Sequence, residues 1–271
     1  MEVIIVKGAD AVAEVGAQLV CELLSKKPKA VMGLATGSTP IALYQKLIQC
    51  YQQGEASFRA VTTFNLDEYI GMTADNPQSY RSFMDRELFD QIDILKANTH
   101  VPSCGLDDNP RAIGTAYENA ISAAGGIDLQ ILGIGSNGHI GFNEPCSSLS
   151  SRTRVKTLTE STVRDNSRLF SAGEFQPHLA ITLGIASILE SRRVTLLATG
   201  AHKAKAVRDA IEGPLSARCQ ASALQTHERA TFIIDEAAAS CLEYRDYFRW
   251  ANSENKPIIE KFGNFYELDQ T

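Results

Sequence analysis

The chain has 271 residues, 44% hydrophobic and 21% charged, a globular balance that excludes a disordered chain. A net charge of −6, a pI near 5.5 and the lack of any basic run or basic–aromatic stripe exclude nucleic acid as a partner. An anionic ligand must therefore be drawn in by locally placed Arg or Lys rather than by the global field.

In chain order, residues 3–6 form a short apolar β-branched run and read as a strand. Residues 11–25 carry Val12, Val15, Leu19, Val20 and Leu23 at helical spacing. Residues 30–34 read as the next strand, ending in Thr36-Gly37-Ser38-Thr39-Pro40, with Thr39 as the expected N-cap of a helix through 41–51. A strand over 61–65 leads into Leu66-Asp67-Glu68-Tyr69, expected as a loop at the strand's carboxyl end. Residues 78–89 and 111–123 look helical. The apolar run 127–133 suggests a strand buried on both faces, as in a parallel sheet. Residues 194–198 repeat that pattern, with a helix over 202–212 behind them. A strand over 231–234 and a helix over 237–250 close the series.

Repeated βα units with no linker and no internal repeat predict an α/β fold over 1–271 as one domain: an open, mostly parallel, doubly wound sheet with helices on both faces. Ligands of such sheets bind at the carboxyl ends of the strands, so segments that follow strands are expected at one rim. No run reaches the ~18 apolar residues of a membrane span. The start MEVIIVKGAD lacks a positive region followed by a long apolar one, and the six cysteines form no CxxC pair and no zinc spacing. A cytoplasmic protein with free thiols is expected.

Four segments carry chemistry. The turn Thr36-Gly37-Ser38-Thr39 offers hydroxyls and N–H groups at a helix N-terminus, which favours a phosphate or carboxylate. Lys203, also at a helix start, makes sense beside an anion, and Arg168 is a second cation of this kind; either alone is more often a solvated surface charge. Asp67 and Glu68 are adjacent, so one of them is expected to face a ligand as a general base. In Gly133-Ile-Gly-Ser-Asn-Gly-His-Ile-Gly-Phe-Asn-Glu-Pro145 the glycines formally match GxGxxG, but no amphipathic helix follows, which argues against a dinucleotide. They more plausibly shape a tight loop presenting Asn137, His139 and Glu144, a histidine–carboxylate pair fit to move protons.

With Phe64-Asn-Leu-Asp-Glu-Tyr69, Pro77-Gln-Ser-Tyr80 and Ser151-Arg-Thr-Arg-Val-Lys156, these motifs resemble the glucosamine-6-phosphate deaminase family over nearly the whole chain. The resemblance implies conversion of glucosamine 6-phosphate and water to fructose 6-phosphate and ammonia, with no metal and no organic cofactor. It implies that His139 assists ring opening by moving the proton of the ring oxygen. Asp67 would carry the C2 proton to C1 through an enolamine, and Glu144 would orient His139. Thr36, Gly37, Ser38, Thr39, Arg168 and Lys203 would hold the phosphate. Asn137 departs from members with Asp there: it can orient His139 but not share a proton.

Some members are hexamers that respond to N-acetylglucosamine 6-phosphate, and Ser147, Arg154, Lys156 and Tyr247 match their effector pattern; others are monomers. Residues 158–178 are expected to form a lid carrying Arg168. Three alternatives stay open: a galactosamine-6-phosphate deaminase/isomerase, a 6-phosphogluconolactonase, and a non-catalytic sugar-phosphate sensor.

Overall fold

A computed structural model describes residues 1–167, 170 and 176–262. The chain runs β1 (Glu2–Val6), α1 (Gly8–Lys26), β2 (Val31–Leu34), α2 (Ser38–Gln52), β3 (Thr62–Asn65), β4 (Asp67–Tyr69), α3 (Tyr80–Glu87), β5 (Thr99–His100) and α4 (Pro110–Ala123). It continues through β6 (Leu129–Leu132), β7 (Arg154–Thr157), α5 (Glu160–Asn166), β8 (Leu179–Thr182), α6 (Ile185–Leu189), β9 (Val194–Ala198), α7 (Ala204–Ile211), β10 (Ala230–Asp235) and α8 (Arg245–Phe262). Seven strands form the main sheet in the order β1-β10-β9-β6-β2-β3-β5, and every pairing in it is parallel. The doubly wound α/β fold read from the sequence is the observed one.

Period-two alternation splits the sheet between two cores. In β9 and β10, Leu196, Phe232 and Ile234 face a layer with Tyr117 of α4, Ile188 of α6 and Val207 of α7. Their neighbours Leu197 and Ile233 face Val20 and Leu24 of α1 and Leu43 of α2. Burial on both faces is why these strands read as continuous apolar runs.

The sequence hid a second sheet. β4, β8 and β7 form three antiparallel strands, with Asp67 opposite Thr182 and Arg154 also opposite Thr182 on the other side. The segment after β3 is therefore a strand, not a loop. Leu66 bridges the two sheets, donating its N–H to Leu34 O at 3.1 Å and accepting from Leu183 N at 2.8 Å. Such short strands, supported by pairing rather than by a long pattern, carry little periodicity of their own.

Two helix starts also differ from expectation. α2 begins at Ser38 with Gly37 at its N-cap position and no side-chain cap, so Thr39 lies within the first turn. The closing helix starts at Arg245 rather than 237. Asp235 accepts the Ala238 N–H at 2.7 Å and folds the alanines into a turn, where Ala238 and Ala239 are fully buried. Burial there reflects turn packing, although alanine alone favours helix.

The small sheet is seated on α6 at Gly184, where a Cβ would stand 2.0 Å from the Ser151 carbonyl oxygen. Backbone cannot yield as a side chain can. Gly184→Ala should lower the urea midpoint by the equivalent of at least about 2 kcal/mol; an unchanged midpoint would mean that this approach is not fixed.

Candidate active site

A cavity of about 490 Å³ opens at the carboxyl ends of β2, β3, β6 and β9, lined by residues 35–40, Asp67, Gly135, His139 and Lys203. Parallel pairing sends every strand's carboxyl end to the same rim, so four segments far apart in sequence meet here.

One wall suits an anion. The uncapped first turn of α2 opens on the cavity with the hydroxyls of Thr36, Ser38 and Thr39. Its N–H groups carry the positive end of the helix dipole. Lys203 and His202 lie across from it, in the single 3₁₀ turn Ala201–Lys203 that precedes α7. Asp235 fixes this turn by accepting the Gly200 N–H at 3.0 Å. Arg168 lies outside the described residues.

Asp67 is buried with its carboxylate in the cavity wall. Thr182 Oγ1 approaches Asp67 Oδ2 at 3.4 Å across the β4–β8 pairing. Burial, then the charge of Glu68, push the Asp67 carboxyl up to about 7, against smaller downward pulls from the Phe142 N–H and the Thr182 hydroxyl. Glu68 points to the other face, as neighbours in a strand must, and accepts from the Tyr80 and Arg81 N–H groups at 3.0 and 3.1 Å. One acid of the pair reaches the cavity, as the spacing predicts.

The glycine loop after β6 folds back on itself: Gly135 donates to His139 O at 2.9 Å, and Gly138 to Gly135 O at 3.0 Å. The His139 ring lies so close over Gly135 that a Cβ there would stand 2.4 Å from Cε1. His139 Nδ1 is 3.5 Å from Glu144 Oε2. Burial pushes the Glu144 carboxyl up, but His139, Thr162 and the Thr159 N–H together outweigh it and hold it at about 2. Asn137 donates to Glu144 Oε2 at 3.1 Å and accepts the His139 backbone N–H at 3.1 Å. It thus positions the loop and the carboxylate, not the imidazole ring directly. Glu144 also accepts the Thr159 N–H at 3.1 Å, which ties the loop to the start of α5.

The four residues matched to an effector pattern do not share one environment. Ser147 is buried, its hydroxyl donating to Glu144 O at 2.7 Å. Arg154 is bonded to Asn143 Oδ1 at 2.9 Å, next to Glu144 in the chain. Lys156 follows two positions along β7. Tyr247 is exposed on α8, whose Asn252 is bonded to Val3 of β1 at the far edge of the main sheet.

Sequence reading missed several residues of the cavity wall: Tyr80, Phe142, Thr162, Asp165, Asn166 and His202. Tyr80 carried a signal, since it ends a motif quoted above. Thr162, Asp165 and Asn166 were signalled only as part of the lid expected over 158–178, because they reach the cavity through the placement of α5.

The chain matches, over residues 7–233, the family described as glucosamine-6-phosphate isomerases/6-phosphogluconolactonase. A glucosamine-6-phosphate deaminase of Hahella chejuensis is 63% identical, covering 94% of this chain and 97% of the relative. One of Colwellia psychrerythraea is 57% identical over 98% of this chain and 99% of its own length. A solved monomeric glucosamine-6-phosphate deaminase superposes with a TM-score of 0.86 at 42% identity, covering 89% of this chain and all of that one. A 6-phosphogluconolactonase from Trypanosoma brucei, at 21% identity and a TM-score of 0.69 over 88% and 97% of the two chains, shares the fold.

The raised Asp67 value sets a stability test. Folding disfavours the ionised form, so the cost is absent below the free carboxyl's 3.8, grows as pH rises from there, and is complete above about 7. Asp67→Asn should raise the thermal midpoint at pH 8, by the equivalent of at least about 1 kcal/mol, and change little at pH 4. A variant less stable than the parent at pH 8 would contradict the burial argument.

Proposed function

The chain belongs to the glucosamine-6-phosphate isomerase/6-phosphogluconolactonase family, and we infer that it converts glucosamine 6-phosphate and water to fructose 6-phosphate and ammonia. One observation carries the chemistry: a buried carboxylate near neutral pKa and a histidine backed by the Glu144 carboxylate share one cavity with an anion-favouring helix start.

In this reading the phosphate rests on Thr36, Gly37, Ser38 and Thr39, with Lys203 and Arg168 closing on it. Held at one end, a flexible open-chain sugar presents C1 and C2 to the acids and bases at the other, and such positioning alone lowers a barrier by several kcal/mol. His139 assists ring opening by moving the proton to the ring oxygen, while Glu144 stabilises the imidazolium that forms. The low Glu144 value supports this, because a carboxylate that stays ionised is the partner an imidazolium needs. Asp67 then takes the C2 proton, acidified by the C1 aldehyde, and returns it at C1 through an enolamine. Water adds to the C2 imine and ammonia leaves. A buried base near 7 is strong enough for this proton and still half ionised at neutral pH.

α5 contributes Thr162, Asp165 and Asn166 to the cavity, and Asn166 donates to the Tyr69 hydroxyl at 2.9 Å. These contacts support α5 as part of a lid over the sugar. An effector at Arg154 and Lys156 would act on Glu144 through Asn143, the neighbour that Arg154 holds.

Ammonia release should be assayed on glucosamine 6-phosphate and galactosamine 6-phosphate side by side. Release from glucosamine 6-phosphate is expected to be the faster, and folded protein that releases none from either would refute the assignment. Asp67→Asn should cut C2 proton exchange by at least about a hundredfold while substrate still binds; exchange near the parent rate would mean that another group is the base. His139→Gln should slow the cyclic substrate more than a pre-opened analogue, whereas equal losses would exclude a ring-opening role.

A further inference from the structure

Glu68 lies outside the cavity that holds Asp67, yet it is 2% exposed and has no surface role. Its carboxylate accepts three backbone N–H groups: Tyr69 at 2.9 Å, Tyr80 at 3.0 Å and Arg81 at 3.1 Å. Two of these donors are the first residues of α3, whose N-cap Ser79 is already bonded to Ser82 N. Glu68 thus fastens β4, the strand that carries Asp67, to the start of α3, where Tyr80 enters the cavity wall.

Tyr80 transmits this anchoring to both halves of the site. Its ring packs on Tyr69 beside Asp67, with centroids 5.2 Å apart, and it lines the cavity together with Thr36 of the anion-favouring turn. Its ring stacks on Phe142, with centroids 5.8 Å apart, in the loop between His139 and Glu144. We propose that Glu68 is a positioning residue for the reaction, holding Tyr80 against the substrate cavity and keeping Asp67, the phosphate turn and the His139 loop in register. This rests on the deaminase reading above and adds a residue that makes no contact with substrate.

Both carboxylate oxygens are used, Oε1 by the Tyr69 and Tyr80 N–H groups and Oε2 by that of Arg81, so a neutral amide with one acceptor oxygen could not take all three. Glu68 occupies the inner wall of a second cavity, about 380 Å³, on the far side of β4. Arg81 and His100 line that cavity too, but the Arg81 guanidinium is bonded to Asp85 and to Thr99. The ionisable groups around the Asp67–Glu68 pair are Tyr69 on β4, Tyr80 and Arg81 on α3, His100 on β5, Tyr117 on α4 and His139 on the β6 loop. Among the effects on Asp67, the Glu68 charge ranks next to burial in disfavouring its ionised form. Burial pushes the Glu68 carboxyl itself up to about 7, against the three N–H groups it accepts, so the two acids titrate as a pair and the hydrogen bonds to α3 carry the positioning role.

Two variants separate these effects. Glu68→Gln keeps the length but removes the charge and one of the two acceptor oxygens; Glu68→Asp keeps the charge and withdraws the carboxylate from α3. Ammonia release by the full chain from glucosamine 6-phosphate is measured from mildly acid to mildly alkaline pH. Glu68→Gln should move the acid limb of kcat/KM to lower pH, since a neighbouring negative charge no longer opposes ionisation of Asp67. Glu68→Asp should leave the limb in place and lower kcat at least about tenfold, with KM changed less, because the geometry of the reacting groups is lost while the phosphate turn remains. Profiles for both variants that superimpose on the parent's would overturn the proposal, as would the same uniform loss with no limb shift in either. Should Glu68→Gln fail to fold, Glu68→Asp decides by the same kcat and limb criteria. A parent protein that releases no ammonia would instead sink the deaminase reading, so the two failures are distinguishable.

Discussion

Two adjacent carboxylates buried on one three-residue strand are the constraint around which the site is arranged. A buried carboxylate must be compensated or protonated. For Glu68 the compensation is three backbone N–H groups, two at the positive end of a helix. For Asp67 it is a long contact from Thr182 and the Phe142 N–H, with the remaining edge open to the cavity; burial outweighs the donors at both acids and pushes each up to about 7. Side-chain alternation along β4 makes this division possible, because neighbouring residues must face opposite ways. One acid is spent on structure and the other is left poised for chemistry.

The histidine loop shows the opposite electrostatic arrangement. Glu144 is as buried as Asp67, but Asn137, Thr159 and His139 surround it with donors. A carboxylate therefore sits near 7 at Asp67 in the cavity wall and near 2 at Glu144 behind His139. Environment assigns the roles: an acid near neutrality can give and take a proton, and one that stays ionised can only stabilise a cation. Both walls are joined by the aromatic cluster of Tyr69, Tyr80 and Phe142, with centroids 5.2 to 5.8 Å apart. That cluster packs the loop against the base strand.

Much of the main sheet was legible because its strands are buried on both faces and its helices on one. The runs at 127–133 and 194–198 announce themselves by apolar content, and the stripe Val12, Val15, Leu19, Leu23 does so by spacing. The small sheet was not, since β4 has three residues, two of them acidic, and β7 has a single apolar residue, Val155, among four. The alanines after Asp235 misled because propensity favours a helix where a side-chain-bonded turn won. Among site residues, Asp67, His139 and Lys203 could be picked by type and by place after a strand. Glu68 passed for a solvated neighbour, since nothing local shows that Tyr80 and Arg81 will donate to it.

By itself the sequence determined the parallel sheet, the rim at which chemistry collects, and the residue types available there. Periodicity and strand-end position are local properties, so one chain suffices to read them. Only the tertiary structure decided which acid of the pair faces the cavity, that the His139 ring lies on Gly135 beside Glu144, and that Glu68 holds Tyr80 across twelve intervening bonds of chain order. Each of these depends on how deeply a charge is buried and which distant backbone groups meet it, quantities that exist only once the chain has folded.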